Sequence, residues 1–149
     1  MTWGSFIVKT LGLVVLLWTV LFYGYGSFVL VDNVVPIEGI EIEEWVSAYN
    51  ITGLASGIVA FLCSAIWFYL GDNYTGESGI KIKYYGLMIL NFVMSVVLVV
   101  VLLPKTIDGS GFSSFFVVVN ALLVYYLSSI VASAGPVKYI PALSEAFHK

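Results

Sequence analysis

The sequence predicts an all-α integral membrane protein: four transmembrane helices, with a short amphipathic surface helix between the first and second spans. Three observations predict it. The chain of 149 residues is 60% hydrophobic and 10% charged, whereas soluble domains carry roughly 25% charged residues. Its mean hydropathy is +1.02. The apolar residues gather into four runs, about 6–31, 51–70, 82–103 and 112–132. Each is near the ~20 residues that cross a hydrocarbon core of ~30 Å. Little material is left outside them, so residues 1–149 read as a single four-helix transmembrane domain.

The first run opens behind Trp3 and Lys9, which suit a membrane interface, the indole at headgroup depth and the lysine snorkelling outward. It is longer than a straight span requires, and Gly24, Tyr25, Gly26 and Ser27 interrupt its far end. A tilted helix with a loosened last turn accounts for this. Lys9 and the apolar core after it also resemble a signal peptide, but small residues in A-x-A spacing are missing. The run is read as a retained span.

Residues 32–50 form the longest stretch that cannot sit in lipid. They carry Asp32, Glu38, Glu41, Glu43 and Glu44 and no lysine. Pro36 and Gly39 oppose early helix formation. From Glu41 onward Ile42, Trp45, Val46 and Tyr49 recur at i, i+3, i+4 and i+7, one apolar helical stripe. The glutamates fall in its first turn, where carboxylates favour the macrodipole. This predicts the surface helix, with Ile42, Trp45 and Val46 as candidate partner-binding residues. The alternative is a solvated acid-rich loop. The ligand spacing of an EF-hand is absent, so no metal is expected.

In the second run Gly53 and Gly57 have the GxxxG spacing that lets two helix backbones approach closely. The pattern fits packing on another chain and packing inside this fold equally well. Trp67 and Tyr69 read as an aromatic belt at the far end. Asn50-Ile51-Thr52 and Asn73-Tyr74-Thr75 match the glycosylation sequon, but each abuts a span, and neither is expected to be used. Residues 71–79 are a turn-rich connection, closed by Lys81 and Lys83 with Tyr84 and Tyr85 as interface anchors.

The third run is rich in valine, a strand former in water. In lipid an isolated segment must satisfy its own backbone hydrogen bonds, so helix is expected. Pro104 and Lys105 end it. The fourth run stops at Gly135 and Pro136, and Leu143, Ala146 and Phe147 suggest a short surface helix in the tail, 133–149.

Counting lysines sets the orientation. If the N-terminus is cytoplasmic, Lys9, Lys81, Lys83, Lys138 and Lys149 lie inside and only Lys105 outside. The positive-inside rule then places both termini in the cytoplasm, with a bacterial or archaeal plasma membrane as the expected location.

Chemistry is sparse. No Asp, Glu or His lies in the middle of a run, which disfavours an ion-coupled transporter acting alone. His148 is the sole histidine and Cys63 the sole cysteine, so no disulfide within the chain, no H-E-x-x-H site and no Cys–His pair can form. With net charge −3 and no arginine, nucleic acid is not an expected partner. No catalytic residue, cofactor or metal ligand is expected.

Neutral polar residues remain inside the runs: Cys63, Ser64, Asn91, Ser95, Asn120, Ser128 and Ser129. Depth along the helices predicts contacts among Asn91, Ser95 and Asn120, with Asn120 hydrogen-bonding one or both of the others. The expected function is that of a structural or assembly subunit of a membrane complex. Its partners would be membrane lipids and other membrane-protein subunits, copies of itself among them. A small oligomeric channel, holin-like pore or carrier is the alternative.

Overall fold

The computed structural model describes residues 2–24, 35–36, 40–73, 77–103, 106–108 and 110–133. Among these, four helices are long and apolar enough to cross a membrane: Trp3–Gly24, Ile42–Leu70, Ile82–Leu102 and Ser113–Val131. The helices are α1 (Trp3–Trp18, continuing as a π-helix over Thr19–Gly24), α2 (Ile42–Asn73), α3 (Glu77–Leu102) and α4 (Ser110–Ser133). Thr2 caps α1, its hydroxyl accepting from the Ser5 amide at 3.3 Å. This satisfies one of the amides a helix start leaves open. Beyond the helices, Val35–Pro36 and Thr106–Asp108 make a two-stranded antiparallel contact, too short to alter the all-helical class.

The valine-rich third run is helical, as the demand for internal backbone hydrogen bonding requires. Helix α2 meets α4 most closely, and α1 and α3 each pack against both of them. The four helices therefore sit at the corners of a diamond, with α2 and α4 on its short diagonal. Burial follows: 50% of the α2 span window is covered inside the protein but only 11% of the α3 window.

The amphipathic stretch was expected to run into the second span; among the described residues it does so as part of one helix, and no separate surface helix is shown. Residues 42–50 are the opening turns of α2, which runs unbroken to Asn73. The reason lies in the stripe itself. Trp45 and Tyr49 are followed without a change of phase by Thr52, Ser56, Ala60, Cys63 and Trp67, all buried. One inward face thus spans the supposed boundary, and only the polarity of the outward face changes there. At 1.5 Å per residue the helix is about 48 Å long, against a hydrocarbon core of ~30 Å. It must tilt, protrude, or do both. Glu41, Glu43 and Glu44 stand exposed at its start.

Asp32, Glu38, the 25–27 interruption, Thr75, the Pro104–Lys105 stop and the proposed tail helix with His148 lie outside the described residues.

Candidate functional site

The interior is organised in three levels. At the end that carries Trp45, an aromatic cluster joins α1, α2 and α4. Phe22, Trp45, Tyr49 and Val117 are all fully buried there. The Trp45 and Tyr49 rings stack at 5.3 Å and 8°, and Phe22 lies 4.9 Å from Tyr49. Trp18 donates its indole N–H to the Asn50 carbonyl at 2.9 Å. Trp45, expected as an anchor for a partner or the membrane surface, is therefore held inside its own fold. Ile42 and Val46 are half-buried beside it, and Val46 packs on the same cluster. The Asn50 sequon lies within α2, and its Thr52 hydroxyl is buried and bonded to the Ala48 carbonyl at 2.7 Å.

The middle level is polar. Gly53 and Gly57 both face inward. A Cβ at Gly53 would clash with the Phe22 ring, and one at Gly57 would lie 3.0 Å from Val14. The glycine pair is thus occupied by α1 of the same chain, not left free for another chain. Across from it, Asn120 on α4 donates its amide N–H groups toward the Gly53 carbonyl at 3.4 Å and the Ser56 hydroxyl at 3.3 Å. Ser56 in turn donates to the Gly53 carbonyl at 2.8 Å. On the α3 side, Asn91 donates to the Ala121 carbonyl at 2.9 Å, and Ser95 bonds back to the Asn91 carbonyl at 2.8 Å.

The three residues singled out for interior contacts, Asn91, Ser95 and Asn120, are all buried at this level. The expected partner choice is corrected. Asn120 bonds neither Asn91 nor Ser95; it reaches across the diagonal to α2, and Asn91 grips the α4 backbone one residue further on. Depth placed these side chains correctly, but direction depends on rotation about the helix axis, which turns about 100° per residue.

The third level lies at the other end and was not visible as a site in the sequence. Trp67 and Tyr84, expected as interface anchors, are buried, with ring centroids 5.1 Å apart. The Tyr84 hydroxyl pairs with Ser129 at 3.2 Å, and Tyr125 donates to the Tyr84 carbonyl at 3.0 Å. Tyr69 and Tyr85 keep the outward positions, 56% and 48% exposed. A buried tyrosine needs a hydroxyl partner, and the serines at 128 and 129 were the only signal of one. Phe6 stacks on Phe68 at 4.4 Å nearby.

The outward faces are apolar. An open groove of about 490 Å³ runs along α1, lined by Leu11, Gly12, Val15, Leu16, Thr19 and Val20. Thr19 does not make it polar, because its hydroxyl bonds back to the Val15 carbonyl at 2.8 Å. Among the described residues no group of three or more His, Cys, Asp or Glu side chains could hold a metal ion. The chain matches no protein-family model, no curated protein and no solved structure.

Proposed function

We propose that this protein is a structural or assembly subunit of a multi-protein membrane complex, such as a secretion or conjugation machine, a transporter or a respiratory assembly. It would hold no catalytic site of its own. One observation carries the reading. Among the described residues, Trp18, Tyr84, Asn91, Asn120 and Tyr125 direct side-chain hydrogen bonds to other helices of this same chain. Interior chemistry is thereby committed to holding the bundle together, and function is left to the surfaces. Those surfaces are the apolar faces of α1 and α3, and the acidic start of α2. Membrane lipids and other subunits, copies of this chain included, are the partners such faces suit. The lysine bias supports both termini in the cytoplasm, and the membrane we propose is a bacterial or archaeal plasma membrane.

The second reading, a small oligomeric channel, holin-like pore or carrier, draws on the neutral amides at mid-depth. Extraction of the full chain from its native membrane in a mild detergent, with cross-linking, separates the two. A defined complex with other proteins in fixed stoichiometry is expected. A homo-oligomer that carries solute across liposomes would replace the first reading with the second.

A further inference from the structure

Several buried polar atoms of the described residues have no hydrogen-bond partner, among them Thr10 Oγ1, Ser128 Oγ and the amide oxygens of Asn50, Asn91 and Asn120. They are not equivalent. A hydroxyl can turn toward the carbonyl one helical turn back, as Thr52 and Ser64 do at 2.7 Å. The amide oxygens of Asn91 and Asn120 have no such exit. Each amide is fixed by its nitrogen, Asn91 on the Ala121 carbonyl and Asn120 on Gly53 and Ser56. Flipping either amide would set two oxygens face to face. The two residues are 0% and 1% exposed, so neither lipid nor a second chain touches them. Whatever donates to these oxygens must be small enough to sit within the bundle.

We propose that the interior between α2, α3 and α4 binds internal water, a small neutral hydrogen-bond donor, on the amide oxygens of Asn91 and Asn120. The two side chains attach to α4 at consecutive residues, Asn91 through the Ala121 carbonyl and Asn120 by its own backbone. Buried water in proteins typically bonds to buried polar atoms that are otherwise unpaired, and each of these oxygens is one. A cation is disfavoured by charge: the buried polar residues at this level are Ser56, Asn91, Ser95 and Asn120, all neutral. An unpaired ion in such a setting costs far more than a neutral donor does. The inference concerns this level of the bundle alone and does not depend on membership of a complex.

Water-edited solid-state NMR on the full chain in lipid bilayers tests it without any substitution. Leu90-Asn91 and Val119-Asn120 are each the sole dipeptide of their kind in the sequence. Carbonyl-labelled leucine or valine combined with labelled asparagine therefore assigns each amide. Water-proton magnetisation is expected to reach both side-chain amides. The buried Val124 methyls should stay dark. Darkness at either asparagine overturns the proposal. So does equal brightness at Val124, which would mark a continuous aqueous path. A shift of either amide when sodium is replaced by choline would assign the position to an ion and likewise overturn it.

Discussion

At the scale of single residues, the Gly53 environment makes the sharpest demand. Its Cα lies against the Phe22 ring, and its carbonyl accepts from Ser56 and Asn120. Gly53→Ala should destabilise the bundle by about 1–3 kcal/mol, the usual cost of forcing a methyl into a packed core. Adding Phe22→Leu should recover part of that loss. Unfolding in detergent micelles measures both, and an unchanged Gly53→Ala would remove the close approach. The Asn120 amide and Ser56 hydroxyl should couple in a double-mutant cycle of Asn120→Leu and Ser56→Ala by about 0.6–1.7 kcal/mol, the range for hydrogen bonds between membrane helices. Additivity would show that the 3.3 Å contact contributes nothing. That asparagines lie at mid-depth was legible from counting residues along each run. Which helix each one addresses was not, because a hydrophobic run in lipid has no polar face to fix its rotation.

At the scale of elements, the continuity of α2 replaces a surface helix followed by a span. Ile51 sits at the former boundary, and its side chain is 57% exposed, so Ile51→Pro perturbs the backbone with little loss of packing. In a continuous helix it should cost about 3 kcal/mol. At a junction between two helices it would be nearly silent, and circular dichroism with detergent unfolding tells the two apart. Trp45→Ala should cost about 3–5 kcal/mol through the lost core ring. Glu43→Ala, on the exposed face, should stay within ~0.5 kcal/mol. Equal effects would return Trp45 to a surface role. The four spans were readable because hydropathy over ~20 residues is a property of composition. That 42–50 is helical and runs into the span was legible from its stripe; its continuity as one helix rests on the buried face of Trp45, Tyr49, Thr52 and Ser56. The Gly53–Gly57 spacing announced a close helix contact but carried no label for the helix that fills it, here α1.

At the scale of the whole molecule, the lysine bias predicts that position 43 faces outward and position 78 the cytoplasm. Single cysteines at Glu43 and Ser78, with Cys63 replaced, should label oppositely with an impermeant reagent in intact cells. Glu43→Cys should react and Ser78→Cys should not. The reverse pattern would invert the orientation while leaving the bundle intact. The diamond arrangement also bears on how the protein is made. Helices leave the ribosome in order, and α4 is the last of the four. Yet α4 lies on the short diagonal, where it receives the Asn91 amide and supplies Asn120 to α2. Until it inserts, α1, α2 and α3 lack the neighbour that all three share, and the Asn91 amide has no carbonyl to meet. A nascent chain stopped before residue 110 would expose that amide and the Gly53–Ser56 face to lipid or to other membrane proteins. The order of the chain thus leaves those polar groups without their partners until α4 is in place.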